Sequence, residues 1–102
     1  MTVKIIIKRT VKENMAREMI PLFRKMRSLA VRQPGYISGE TLKSLDRTDS
    51  FVVISTWDAA EDWEQWLLNP ERKKLQDKMD LFLEGQTEYE MFQFGLDDKE
   101  II

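Results

Sequence analysis

The chemistry open to this chain is limited by two residue types that it lacks. Its 102 residues include no cysteine and no histidine. Without cysteine there are no disulfides, thiolate nucleophiles or iron–sulfur clusters. Without histidine, the commonest general base and the commonest metal ligand are missing. Any chemistry must therefore use carboxylates, Lys, Arg, Tyr, Trp, side-chain amides or a bound small molecule.

Two tryptophans stand out among these residue types. Trp63 and Trp66 are three residues apart in a short stretch that is predicted to be helical. Residues at this spacing share one face of a helix, so both indoles must be buried against the same neighbour. The pair is either part of the core or one wall of a ligand pocket, and the residues alone leave both interpretations open.

The apolar pattern predicts the elements that position this pair. Four β-rich runs predict strands at residues 3–10, 36–45, 51–57 and 86–94, with a bulge or close approach at Gly39. An amphipathic helix is predicted at residues 15–30. A second helical region is predicted to start at Asp58 with a capping box to Glu61, to break and restart at Asn69, and to end at Gly85.

In chain order these elements read βαββαβ. Joined by right-handed crossovers, they predict an α+β fold of the ferredoxin-like kind, with a four-stranded antiparallel sheet and helices on one face. The other face would be open, yet Val52, Ile54 and Phe92 make the strands apolar on both sides. Each large apolar side chain left in water forfeits roughly 1.5–3 kcal/mol. A second copy of the same sheet is the simplest cover, so we expect a homodimer through the open sheet face.

Size and composition predict one soluble domain. We expect it to occupy residues 1–95 and to be followed by a charged tail at residues 96–102. The net charge of −2, with neither sign clustered, disfavours nucleic acid as a partner. No apolar run is long enough to cross a membrane, so we expect no membrane partner and a cytoplasmic location. The charged run Glu71-Arg72-Lys73-Lys74 is interpreted as solvated helix surface.

The chain also resembles a known family. The run PGYISGETLKS, the hairpin into FVVISTW and the helix ending in EQWLLNPERKKLQ are similar to the antibiotic biosynthesis monooxygenase domain, a family of dimeric α+β barrels. The resemblance covers nearly the whole chain. It implies cofactor-independent oxygenation of a small aromatic or quinol-type substrate, without metal or flavin, although the family also includes haem-degrading enzymes and an isomerase.

The resemblance further implies a pocket between helices and sheet, where apolar walls hold a substrate that itself reduces oxygen. The protein would exclude water and stabilise an enolate or phenolate. We take Trp66, Gln76 and Tyr36 as candidate catalytic residues. The candidate substrate-binding residues are Phe51, Trp66, Met79, Tyr89 and Arg9.

Haem degradation is disfavoured. The haem-degrading branch has an iron-ligating histidine ten residues after its tryptophan, where this chain has Gln76, and a neutral amide binds iron poorly. That branch also has an asparagine on the first strand, where this chain offers Ile7 or Lys8. The competing hypothesis is a non-catalytic module, either ligand-binding or structural, in which the aromatic and methionine side chains are core packing.

Overall fold

The structure is a computed structural model that describes residues 1–93. The elements are β1 (Val3–Thr10), α1 (Ala16–Ala30), β2 (Tyr36–Lys43), β3 (Ser50–Trp57), α2 (Ala60–Leu67), α3 (Pro70–Asp80) and β4 (Glu88–Gln93). This order confirms the predicted βαββαβ arrangement with a divided second helical region. The predicted domain boundary at residue 95 and the tail at residues 96–102 lie outside the described residues.

The four strands form one antiparallel sheet. Their order across the sheet is β2-β3-β1-β4, so β1 is hydrogen-bonded to both β3 and β4. The two central strands are far apart in sequence, which is the ferredoxin-like topology and confirms the predicted α+β fold. Within one chain the sheet is open and does not close into a barrel.

One face of the sheet carries the core. Along β1 the side chains alternate, with Val3, Ile5, Ile7 and Arg9 buried and their neighbours more exposed. Directly paired residues of antiparallel strands point to the same face, so the β3 partner of Ile5, which is Ser55, also faces the helices. An arginine at the end of an apolar strand face is thereby directed into the interior.

The buried apolar side chains form two clusters. The first lies between β1, β3, α1 and α2 and consists of Val3, Ile5, Ile7, Ala30, Trp57, Trp63 and Trp66. The second consists of Val11, Met19, Met79 and Leu83. Met26 packs against both clusters, so it lies at their junction.

The helix starts and ends only partly follow the predictions. Asn69 caps α3 as predicted, because its side-chain oxygen accepts from the backbone N–H groups of Glu71 and Arg72 at 2.9 and 3.2 Å. The capping box at Asp58 was wrong, since the N-cap of α2 is Ala59 and no side chain caps it. No helix within residues 1–93 is long and apolar enough to span a membrane.

Two glycine predictions also need correction. Gly85 does not end α3, which stops at Asp80 because the following residues pair instead with the end of β1. Glu84 N–H donates to the Thr10 carbonyl at 2.7 Å. The irregularity in β2 lies between Tyr36 and Ser38, before Gly39. The close approach predicted at Gly39 is real, but it is made by a side chain, the Tyr36 hydroxyl.

Candidate functional site

A cavity of about 50 Å³ lies between the inner face of the sheet and the helices. Each strand except β4 and every helix contributes to its lining. Those residues include Ile7, Arg9, Phe23, Met26, Arg27, Tyr36, Gly39, Thr41, Ser55, Trp57, Trp63, Trp66 and Arg72. Arg27 and Thr41 are exposed, so the cavity reaches the surface between α1 and β2.

The chain's three tryptophans all line this cavity. Trp57 is fully buried, and Trp63 and Trp66 are each only 3% exposed. The rings of Trp57 and Trp63 meet edge to face, with their centroids 6.0 Å apart. Trp57 is further fixed by its Nε1–H, which donates to the Ser55 hydroxyl at 3.1 Å. Trp63 and Trp66 are therefore both core residues and cavity wall, so the two interpretations of the sequence do not exclude each other.

Tyr36 places a hydroxyl group at the cavity. Its ring meets Trp57 edge to face, at 5.3 Å between centroids. Its hydroxyl oxygen lies 2.6 Å from where a Cβ at residue 39 would stand, so any other residue there would displace the tyrosine side chain. The glycine and the tyrosine, three residues apart on β2, are thus matched to each other.

Arg9 brings a positive charge to the cavity from β1. It is 3% exposed, and its Nη2 donates to the Gln76 side-chain oxygen at 2.8 Å. The guanidinium carbon also lies 6.0 Å from the centre of the Phe23 ring. Burial is the main cause that lowers the pKa of Arg9 to about 10, and the charge of Arg72 acts in the same direction, while Tyr89 and Asp80 act in the opposite direction.

Arg72 brings a second guanidinium to the cavity from α3. Its interpretation as solvated helix surface was wrong, since it is only 3% exposed. Its Nη2 donates to the Tyr89 hydroxyl at 2.9 Å. Its guanidinium lies over the rings of both Trp63 and Tyr89, at 5.5 and 5.3 Å from their centroids. Such stacking of a planar cation on aromatic rings is favourable where water is excluded.

Gln76 and Tyr89 lie behind the two arginines and do not line the cavity. The Gln76 amide nitrogen donates to Asp80 and Thr87 at 2.8 and 3.0 Å, which directs its oxygen toward Arg9. Tyr89 packs against Trp63 at 5.8 Å between ring centroids and accepts from Arg72. Their geometry suits the holding of cations more than contact with a ligand.

Phe51 and Met79 are placed elsewhere. Met79 is fully buried in the second core cluster, and Phe51 packs against that cluster. Phe51 reaches the cavity only indirectly, since its ring lies 5.5 Å from Phe23, which does line it. Of the seven candidate residues, the structure brings Arg9, Tyr36 and Trp66 to the cavity wall.

The sequence contained signals for the cavity residues that were missed. Arg72 precedes Leu75 by three positions and Met79 by seven, which is the spacing of the buried face of a helix. Trp57 and Ser55 are two positions apart on β3 and pair with Val3 and Ile5, which lie on the buried face of β1, so both belong to the inner face. In both cases the position of the residue along its helix or strand predicts its burial better than its residue type does. For Arg72 the residue type alone was misleading.

Comparison with known proteins gives a family. The family model described as antibiotic biosynthesis monooxygenase matches residues 2–78, about three quarters of the chain. No match is found among curated proteins.

Solved structures share the fold at low sequence identity. SnoaB, a cofactor-independent oxygenase from Streptomyces nogalater, is 21% identical, with a TM-score of 0.82 over 95% of this chain and 96% of its own. A conserved protein from Methanosarcina mazei Go1 is 15% identical, with a TM-score of 0.84 over 90% of this chain and 91% of its own. At these identities the likeness is one of fold alone.

Proposed function

Because this chain belongs to the antibiotic biosynthesis monooxygenase family, we propose that it is a cofactor-independent monooxygenase of a small phenol or hydroquinone. The observation that supports this most is the cavity beside Trp66, with three indole rings and two buried guanidiniums in its wall. Apolar walls with a few convergent polar groups are typical of small-molecule sites.

The reaction needs no electron source besides the substrate. A phenol with an unsubstituted para carbon loses its hydroxyl proton and reduces O₂ from the resulting phenolate, and one oxygen atom becomes bonded to the para carbon. The para hydrogen and the hydroxyl hydrogen leave with the second oxygen atom as water. The product is the para-quinone, so one phenol and one O₂ give one quinone and one water.

In this proposal each cavity residue has a physical task. Trp66 and its neighbouring indoles exclude water and hold the ring in place. A phenol has an ordinary pKa of about 10, and one nearby positive charge lowers an acid's pKa by about 1–3. Arg9 therefore favours the phenolate, and the Tyr36 hydroxyl supplies a hydrogen-bonding group at the cavity wall. Gln76 and Tyr89 are positioning residues for the arginines.

The size of the cavity limits how the substrate binds. A cavity that takes up benzene measures about 150 Å³, whereas this one measures about 50 Å³. Substrate entry therefore needs side-chain movement, and the cavity wall includes Met26 and Arg27, two unbranched side chains that can change rotamer. The same small volume is the observation that favours the second candidate function, a non-catalytic binding or structural module.

Labelled oxygen distinguishes the candidates. The purified protein is incubated with 1-naphthol under ¹⁸O₂, and the product is analysed by mass spectrometry. Monooxygenation puts one ¹⁸O atom into 1,4-naphthoquinone and consumes one O₂ per quinone. No uptake above the protein-free rate, across a panel of naphthols and hydroquinones, favours the non-catalytic module.

A matched pair of variants tests the site itself. Trp66→Phe keeps an aromatic ring in the core but removes one of the two fused rings of this indole from the wall, and we expect kcat/KM to fall roughly ten- to a hundredfold because the substrate ring is no longer held in place. Leu83→Ala, in the second core cluster, is the control for lost stability alone. Normal turnover by a folded Trp66→Phe variant would place the site elsewhere.

The proposal extends to assembly and location. The open face of the sheet carries an apolar patch made of Ile6, Leu42, Val52, Ile54 and Phe92, here called the open-face patch. Leu42 and Phe92 are 45% and 51% exposed in the single chain. We propose that a second copy covers this patch in a homodimer. A cytoplasmic location remains part of the same proposal.

A further inference from the structure

Two buried guanidiniums at the cavity lack acceptors for part of their hydrogen-bonding capacity. Arginine has five N–H donors, of which Nη2 of Arg9 donates to Gln76 and Nη2 of Arg72 donates to Tyr89. The Nε atoms of both residues are buried and have no hydrogen-bond partner among residues 1–93. Buried donors without acceptors are rare in proteins, and each calls for an explanation such as a functional role, a water or an ion.

Among residues 1–93 the two arginines also have no direct salt-bridge partner, although Asp80 lies close enough to favour the charged form of Arg9. In the described part of the chain the one ion pair joins Lys8 and Glu90, which lie on the opposite face of the sheet. The acceptors that the arginines do use, the Gln76 amide and the Tyr89 phenol, are neutral. This network therefore orients two buried cations through neutral acceptors, with Asp80 as the one nearby carboxylate behind Gln76, so a further anion in direct contact would lower the cost of burying them.

The geometry points to an anion as the missing partner: we propose that Arg9 and Arg72 bind the carboxylate of a hydroxylated aromatic acid, which is the substrate class of this cavity. This inference rests on the proposed function, which supplies the phenolic ring. A phenol arrives neutral at pH 7, so the resting complex needs a second group that is already ionised. A carboxylate meets that need, and it is planar, small and geometrically matched to guanidinium.

The arrangement divides the ligand between two kinds of wall. The ring of the acid lies against the indoles of Trp63 and Trp66, and its carboxylate accepts from the free N–H groups of the two arginines. Stacking of Arg72 on Trp63 keeps that guanidinium in place while its Nε–H is left for the ligand. The cavity thus selects acids over neutral phenols of the same shape.

A matched pair of ligands tests the inference. 1-Hydroxy-2-naphthoate and 1-hydroxy-2-naphthamide share ring, hydroxyl group and free para carbon, and they differ in charge. Isothermal titration calorimetry at pH 7 should show that the acid binds about 10- to 100-fold more tightly than the amide. This is the gain in affinity expected from hydrogen bonds to a charged group. In Arg9→Met and Arg72→Met, which keep an unbranched apolar stem, the ratio should fall toward one. Arg24→Met, on the exposed face of α1, is the matched control and should keep the full ratio.

Each outcome bears on one proposal or the other. Equal binding of acid and amide by the wild-type protein would overturn the inference, even if neutral naphthols are oxygenated. A preference for the acid that survives in both methionine variants would overturn the assignment to these arginines. Selective binding of the acid without ¹⁸O incorporation would overturn the oxygenase proposal and leave the acid-binding site standing.

Discussion

At the scale of single residues, Arg9 makes the stability of the fold depend on pH. Burial lowers its pKa from the ordinary value of an arginine to about 10. Below pH 10 the guanidinium is charged in both the folded and the unfolded chain, and the folded state bears the cost of desolvation. As pH rises above 10, the folded state loses this proton first, while the unfolded state keeps it. The contribution of Arg9 to the free energy of unfolding therefore increases as the pH rises above 10.

The prediction is measured as a difference between two proteins. Urea unfolding of wild type and Arg9→Met between pH 9 and 11.5 removes the contributions of lysines and tyrosines that both proteins share. We expect the wild type to gain about 2 kcal/mol relative to the variant between pH 10 and 11.5. Arg24→Met, whose side chain is exposed, should run parallel to the wild type. Parallel curves for Arg9→Met would mean that burial does not perturb this group.

Part of the candidate site could be predicted from residue type, but the burial of charged side chains could not. The sequence predicted Trp66, Tyr36 and Arg9 at the site, and the structure puts all three in the cavity wall. It missed Arg72, because a run of charged residues looks solvated until the helical face is counted. It also chose Met79 and Phe51, whose apolar side chains suit a second core cluster as well as a pocket.

At the level of the elements, β2 contains a close contact between Gly39 and the Tyr36 hydroxyl. A Cβ at residue 39 would lie 2.6 Å from the Tyr36 hydroxyl oxygen, while the next atom of that ring is at an ordinary 3.5 Å. We expect Gly39→Ala to cost about 1 kcal/mol or more, because overfilling forces the tyrosine away from Trp57. Near-UV circular dichroism should report the disturbed aromatic contact.

A double-mutant cycle isolates this contact. Tyr36→Phe removes only the hydroxyl oxygen, so Gly39→Ala in that background should be close to neutral. The expected coupling free energy is about 1 kcal/mol from urea unfolding. If Gly39→Ala lowers the free energy of unfolding equally in both backgrounds, the contact with the Tyr36 hydroxyl is not the cause. The loss would then come from the backbone of β2.

Element order was readable from the sequence, whereas several element ends were not. Runs rich in β-branched and apolar residues predicted the four strands, a short polar turn predicted the antiparallel hairpin, and the period-3.6 pattern predicted the helices. The ends depend on local competition for hydrogen bonds. Residues 82–84 follow a helical pattern, but the Phe82 carbonyl and the Glu84 N–H pair with Lys12 and Thr10 at the end of β1 instead of continuing the helix. Ala59 caps α2 without a side-chain bond, so the capping-box signal at Asp58 had no structural counterpart.

At the scale of the whole molecule, the open-face patch has a predicted use. Ile6 and Ile54 are paired across the two central strands, with Val52 and Leu42 beside them on β3 and β2. Apolar side chains at the centre of an exposed sheet face are typical of a surface that another protein covers. A two-fold axis through this patch would place Ile54 of each chain in the same interface, so one substitution would act twice.

Ile54→Asp should therefore convert a dimer into a monomer. Loss of one buried apolar side chain costs at least about 1.5 kcal/mol, and two copies cost about 3 kcal/mol or more, which weakens association more than about a hundredfold. Leu45→Asp makes the same chemical change at a side chain that is 99% exposed in the β2–β3 turn, outside the patch, and should leave the dimer intact. Sedimentation equilibrium at micromolar concentration gives the mass directly, with circular dichroism as the check that each variant folds.

A wild-type protein with the mass of one chain would refute the dimer. An Ile54→Asp protein that still has the mass of two would move the interface to another surface.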